Sequence, residues 1–456
     1  MRRPSLSTSS LALLLALGTS LPAIAADDGA DCDRYAASDL DPKKPAGIVG
    51  VETEVIDTKK AVPACEAAIK SASAEMRYHF QLGRAYFAAR RVGDAVSAFT
   101  RASDGGYAIA SNQLGELLSA GMSPDLSRAM KLYDAAAKTG LPVASYNLGV
   151  AYRDGLGTVA DPVKAVENFQ IAANAKYPPA IYALALAYRD GAGVQQDNNT
   201  AVSLFRTAAG FGDPKIMDEL GDIYDQGNLV EENDDEAIRW YQAAAEKGYV
   251  PAMGHLAFAL GDKKDVGDNL KKSIEWHQKA ADAGDASSMN AIGYAYDEGQ
   301  GLEKNVDEAL KWYRKAAELG DSEALNNMGA MYDLGTGVPL DYAKAVDYYQ
   351  QAIAKGLALA HFNLAFLYAE GHGVPLDSVK AAELMMTALR AGEQAAKDEL
   401  AKPTIDWPKE FRVDMQRRLK EGGEFAGTAD GTFGLDTMTA IDQAFDSDNA
   451  TESEAE

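Results

Sequence analysis

The chain is poor in the residues that most enzymes and metal sites are built from. Among 456 residues there are two cysteines and five histidines. Zinc clusters and multi-histidine centres are excluded on those counts. Basic residues are short as well, 44 against 68 acids, for a formal charge of −24. A surface that acidic is repelled by phosphate backbones and anionic bilayers, so a sequence-independent nucleic-acid binder is ruled out. Long hydrophobic runs are missing too. The run near the N-terminus at Leu11–Leu17, like every other in the chain, is well under the ~20 residues a spanning helix needs.

That short run carries meaning where it stands. Arg2 and Arg3 precede it and Ala23-Ile24-Ala25 follows, small residues at the positions a signal peptidase reads. Residues 1–25 are therefore expected to be a cleaved signal peptide rather than an anchor, leaving a mature charge of −26. No later stretch is apolar enough to span a membrane. Export implies an oxidising compartment, in which Cys32 and Cys65 are expected to pair and staple residues 26–75; two free thiols remain the alternative. In the chain-entropy model such a loop is worth roughly 3–4 kcal/mol.

What the sequence has in abundance is a repeat. Leu148-Gly149 recurs as Leu184-Ala185, Leu220-Gly221, Leu256-Ala257, Ile292-Gly293, Met328-Gly329 and Leu364-Ala365, every step being 36 residues. Leu114-Gly115 and Leu82-Gly83 extend the series upstream at slightly shorter steps. A fixed period of this length marks a stacked array of supersecondary units. Each unit reads as two helices. A small residue at the Gly149 position admits a close neighbour, and Tyr152, Tyr188, Tyr224, Tyr296, Tyr332 and Tyr368 pack between helices. Glycine pairs such as Gly155/Gly157 and Gly335/Gly337 close the first helix. Asp125, Asp161, Asp197, Asn233, Asn269, Asn305, Asp341 and Asp377 are expected to cap the second. Its buried seam is marked by Ala172, Ala208, Ala244, Ala280, Ala316, Ala352 and Ala388. In the 252–287 unit Lys263 and Asp265 stand where the glycines belong, which predicts a less regular loop.

Met328-Gly329-Ala-Met-Tyr332, Gly335-Thr-Gly337-Val338, Asp341 and the stretch from Ala345 to Gly356 resemble the Sel1-like repeat family, a relative of the tetratricopeptide repeat. The resemblance implies an all-α, right-handed α-solenoid over residues 76–402 that offers a concave face to protein partners. It implies no enzymatic activity and no cofactor. Some cysteine-rich relatives are linked to β-lactam binding, but their disulfides lie inside the repeats, where this chain has no cysteine.

Beyond Pro403 the period is lost. Gln416 and Leu419, then Gly427, Asp430-Gly431, Phe433-Gly434 and Thr437 resemble the small three-helix peptidoglycan-binding domain of cell-wall hydrolases. These are turn and core positions, so they speak for a fold over 403–447 more than for glycan contact. Gly422 and Glu424 depart from that family's apolar and aromatic residues. Residues 448–456 read as an acidic, disordered tail.

Neither nucleophile–base pairs nor isolated carboxylate pairs stand out. The scattered histidines include His277, which replaces Tyr241 and Tyr313 in the repeat and reads as a packing substitute. The expectation is a non-enzymatic envelope scaffold that binds proteins through its repeats and associates with peptidoglycan at its end. The alternative is a periplasmic regulator holding a membrane sensor kinase or envelope enzyme. Positions offset by one or two residues from the buried Leu-Gly-Tyr set should line the partner groove: Tyr146, Asn147, Arg153, Tyr182, Arg189, Asn290, Tyr294, Asn326, Asn327, Phe362 and Asn363. Asparagine offers donors and acceptors to an extended backbone, and tyrosine adds apolar area at little entropic cost.

Overall fold

A computed structural model describes residues 28–120, 124–262, 268–402 and 407–452. The expected signal peptide, and the loop at Lys263 and Asp265, lie outside the described residues. Every regular element among those described is helical. The chain forms two compact units that divide after Ala208.

The first unit opens with α1 (Asp28–Ala36) and α2 (Thr58–Ser71). Four helix pairs follow: α3 (Met76–Ala88) with α4 (Val92–Asp104), α5 (Ala108–Ala120) with α6 (Leu126–Ala137), α7 (Pro142–Asp154) with α8 (Pro162–Asn174), and α9 (Pro178–Asp190) with α10 (Asn198–Ala209). The second unit holds five pairs: α11 (Pro214–Gln226) with α12 (Asp234–Ala245), α13 (Val250–Gly261) with α14 (Asp268–Asp282), α15 (Ala286–Glu298) with α16 (Val306–Glu318), α17 (Ser322–Leu334) with α18 (Tyr342–Ala354), and α19 (Ala358–Glu370) with α20 (Ser378–Arg390). It ends in α21 (Gln394–Ala401), α22 (Lys409–Gly422) and α23 (Leu435–Glu452).

α1 and α2 seal the start of the first stack. Cys32 and Cys65 form a disulfide. Arg84 of α3 is almost fully buried beneath them. Its guanidinium donates to the carbonyls of Ala36, Ala37 and Val51 and to the Thr53 hydroxyl. A buried charge holds only if its donors are satisfied, so Arg84 ties this segment to α3 while the disulfide ties α1 to α2.

In six of the nine pairs the packing is set by a glycine that lies under a ring of its partner helix. A Cβ at Gly329 would lie 2.7 Å from the Tyr349 ring, and one at Gly149 2.6 Å from the Phe169 ring. The helices touch because no side chain stands between them. The seven seam alanines are all fully buried. The loop glycines divide the labour. Both are left-handed, Gly155 at a φ of 68° and Gly157 at 77°, but it is a Cβ on Gly157 that would strike the Leu126 carbonyl at 2.4 Å, where the loop lies against the preceding pair. The loop closes when the cap residue's N–H returns to the tyrosine carbonyl, as Asp341 does to Tyr332 at 2.9 Å.

Seven of the eight expected caps accept from the amide three residues on, for example Asp161 from Lys164 at 3.1 Å and Asn305 from Glu308 at 3.1 Å. Asn269 does not belong with them. α14 already begins at Asp268, which places Asn269 inside its first turn.

The C-terminal segment differs from a free-standing three-helix module. Residues 407–452 carry two helices, and Trp407, Phe411, Met415, Leu419 and Ile441 join the hydrophobic core of α18–α20. Ser378 donates to Asp414 at 2.6 Å and Arg390 pairs with Glu424 at 3.0 Å, fastening the segment to α20. α23 continues through Glu452, so residues 448–452 of the expected tail are helical, and the remainder lies outside the described residues.

Candidate functional site

The first helices of successive units carry a repeated polar rung. Each joins the residue before the buried leucine to the residue two before it in the preceding unit. Asn147 donates to Asn112 and to Glu116, both at 2.9 Å, in the first unit of the chain. In the second, Asn327 donates to Asn290 at 3.0 Å and Asn363 to Asn326 at 2.8 Å. Asn290 in turn donates to Glu323 at 3.1 Å.

These bonds correct part of the expected partner surface. Asn290 and Asn326 are only 7% and 4% exposed and spend their amide groups on neighbouring helices. Tyr146 packs its ring on Phe169 and Tyr177, and Tyr182 meets Phe205 edge-on. Arg153 and Arg189 stay at the surface, but each lies against the aspartate that follows it, Asp154 at 2.7 Å and Asp190 at 2.6 Å. That hydrogen bond raises the Arg153 pKa and lowers that of Asp154. Neither arginine is thus a ready receptor for a partner's carboxylate. Phe362 packs edge-on against Phe366. Tyr294 does stand out, 49% exposed.

Tyr294 lies on a depression of about 830 Å³ that follows α13, α15 and α17 to the starts of α19 and α21. Phe258, 47% exposed, stands beside it. Four acids line the groove, Asp262, Asp321, Glu323 and Glu393, and among the described residues that line it none is lysine or arginine. His277 sits at its base, its Nδ1 3.1 Å from the Ser288 hydroxyl and its ring edge-on to Phe258. Burial pushes its pKa down to about 4, so the ring is neutral. The packing role read from its register agrees with that environment.

The amide pair recurs at three of the seven such positions; Tyr146/Ala183, Tyr182/Glu219 and Gly254/Ala291 stand at three more, and the last carries an ionisable pair. His255 stands where Asn147, Asn327 and Asn363 stand, and Asp218 where Asn290 and Asn326 do. His255 Nδ1 donates to Asp218 Oδ1 at 2.9 Å and lies 3.6 Å from Asp222 Oδ1. Tyr241 donates to the same Asp222 oxygen at 2.8 Å. The hydrogen bond to Asp218 raises the His255 pKa, while burial raises that of Asp222. Reading the histidines as scattered missed this group. Setting His255 beside its 36-residue equivalents is the signal that finds it.

The C-terminal motif residues serve their own loop. Gln416 is buried and clamps it from both ends, accepting from the Gly431 amide at 2.8 Å and donating to the Thr432 carbonyl at 2.9 Å and to the Thr437 hydroxyl at 3.0 Å. Asp430 accepts from the Thr432 amide. Leu419 is fully buried, Phe433 half-buried, and Gly427 lies under the Phe425 ring. Gly434 meets no side chain within 4 Å.

No helix among the described residues is long and apolar enough to cross a membrane. The Sel1 repeat model matches eight stretches: 108–141, 142–177, 178–210, 217–249, 251–285, 286–321, 322–357 and 358–392. Two solved structures are similar over most of their length. One is a protective antigen present in uropathogenic Escherichia coli strains, with 26% identity and a TM-score of 0.55, covering 85% of this chain and 90% of that one. The other is a Sel1 repeat protein from Oxalobacter formigenes, with 27% identity and a TM-score of 0.57, covering 66% and 88%. No curated protein matches the chain. With its repeat matched over more than half its length, and the same stacked helix pairs in its relatives, the chain belongs to the Sel1 repeat family.

Proposed function

We propose that this protein is an exported, non-enzymatic scaffold of the bacterial envelope that holds protein partners in the groove along α13, α15 and α17. Sel1 repeat proteins as a class mediate protein–protein interaction. The observation that carries the reading for this chain is the groove's lining: two exposed aromatic rings among four acids, with no basic residue among the described residues that line it. Exposed aromatics supply anchors for an interface. The surrounding negative potential selects a partner segment that bears lysine or arginine beside an apolar residue. The Cys32–Cys65 disulfide supports export, because cystines persist in oxidising compartments. Association with peptidoglycan through residues 403–447 rests on the loop held by Gln416. Leu435, 82% exposed beside that loop, is the apolar group best placed for contact.

Placing a photo-reactive residue at Tyr294 in the cell tests the scaffold reading. The expected result is a discrete cross-linked partner whose contacted segment is cationic, lost on Phe258→Ala. The same yield and partner from a residue at Val163, 56% exposed on α8 and not among the groove's lining residues, would refute it. Co-sedimentation of the full chain with purified wall sacculi, reduced by Leu435→Glu, tests the second part. Equal retention of the variant would remove the glycan contact from this loop.

A further inference from the structure

The rung at His255 contains more ionisable chemistry than a rung needs. In three other rungs two asparagines do this work, and a neutral amide pair satisfies itself without burying charge. Here an imidazole and a carboxylate replace them, Asp218 being 6% exposed. A second carboxylate, Asp222, sits one turn on from Asp218. At that register the other six 36-residue units carry Val150, Leu186, Phe258, Tyr294, Ala330 and Phe366. Three departures from the repeat thus converge on one spot, and packing demands none of them.

The spot has the form of a ligand set. Asp218 and Asp222 lie one turn apart on α11, and His255 faces them from α13. One oxygen or nitrogen from each falls within 4.8 Å of the others. A tetrahedral divalent ion with bonds of about 2.1 Å needs donor atoms about 3.4 Å apart. The imidazole nitrogen lies 2.9 and 3.6 Å from the two carboxylate oxygens, bracketing that value. Tyr241, donating to Asp222, supplies the outer hydrogen bond that orients a ligating carboxylate. His255 and Asp222 are 43% and 38% exposed, which leaves an open path for an ion and room for water on it.

We propose that Asp218, Asp222 and His255 form a binding site for one divalent transition-metal ion. One nitrogen and two carboxylates suit Zn²⁺, Mn²⁺ or Co²⁺, and the imidazole disfavours Ca²⁺ and Mg²⁺. The ion takes the place of the proton between His255 and Asp218 and ties α11 to α13 across the interval of one repeat. This site is independent of the partner groove, which does not include these residues.

Tag-free full-length protein, stripped with chelator and titrated with Zn²⁺ by calorimetry and with Co²⁺ by visible absorption, tests this directly. One saturable equivalent is expected, with a Co²⁺ ligand-field band. His255→Asn restores the amide of the other rungs, and Asp222→Asn keeps the bond from Tyr241, so both variants retain the fold, as melting by circular dichroism will show. Each should weaken binding at least about tenfold. His372→Asn, at an exposed histidine paired with Glu370, should leave it unchanged. Absence of a saturable equivalent overturns the proposal. So does unchanged affinity in His255→Asn, and unchanged affinity in Asp222→Asn overturns the three-ligand set.

Discussion

Replacing Gly329 by alanine probes the contact on which the repeat depends. The new methyl carbon would lie 2.7 Å from two Tyr349 ring carbons, against an ordinary carbon–carbon contact of ~3.5–4.0 Å. Tyr349 is 1% exposed, and its hydroxyl reaches Asp333 at 3.4 Å, so the ring cannot turn aside without loss. Overpacking of this kind costs about 1–3 kcal/mol. Alanine in mid-helix recovers up to about 1 kcal/mol relative to glycine. The net loss should be about 1–2 kcal/mol, confined to α17 and α18. The chain itself supplies the compensating change: in the next unit Ala365 occupies the glycine register and Met385 the tyrosine register. The double variant Gly329→Ala/Tyr349→Met should therefore be more stable than the two single losses summed, by at least about 1 kcal/mol. A stacked array does not unfold in one step, so hydrogen exchange of α17 and α18 is the assay, with the apparent urea midpoint beside it. Ala185 with Phe205 at the same registers shows that this spacing accepts a methyl in at least one pair. If Gly329→Ala protects those amides as well as the parent does, or if the two changes are additive, the ring–glycine contact does not set the pair spacing.

Protein recovered from the envelope should show no titratable thiol without reductant; Cys32→Ala/Cys65→Ala should lose roughly 3–4 kcal/mol in the α1–α3 region alone, and two reactive thiols in the parent would discard the staple. Asn326→Leu removes the acceptor for Asn363 and should cost about 1–3 kcal/mol, with exchange rising in α17 and α19; no change would reduce the rung to a bystander. His277 has a folded pKa of about 4 against 6.5 unfolded. The unfolded chain therefore takes up its proton first as pH falls, and stability drops between pH 6.5 and about 4, by up to about 3 kcal/mol, with no contribution above pH 6.5. His277→Phe should flatten that part of the pH profile, and an identical slope in parent and variant would show the ring is not held neutral.

The fold was legible because the same physical demand recurs every 36 residues. A glycine under a ring, an acid at a helix start and an alanine in a seam are each forced by backbone geometry or by contact distance, and period makes them visible in one sequence. Asn269 shows the limit. It satisfies the pattern, yet α14 starts one residue before it, and pattern alone does not say which residue a helix chooses as its first. The C-terminal segment shows another. Its turn residues serve their own loop, and turns carry no information about which core the apolar residues join. Met415 and Ile441 fill the end of the repeat core.

The partner surface was the least legible part, for a reason that lies in the repeat. Helical offset places Asn290, Asn326 and Tyr294 on one face, but offset does not distinguish a side chain that meets solvent from one that reaches the next helix. An asparagine beside another asparagine one unit away bonds to it, and the pair is then buried by its own success. Recurrence at this face therefore marks residues already spent on holding the array together. Groups left for function are those the array does not spend: Phe258 and Tyr294, which stay exposed, and Asp222 with His255, which bring ionisable groups where most other units place apolar or amide ones. In a periodic protein the repeat builds the frame, and its exceptions are where specific chemistry is placed.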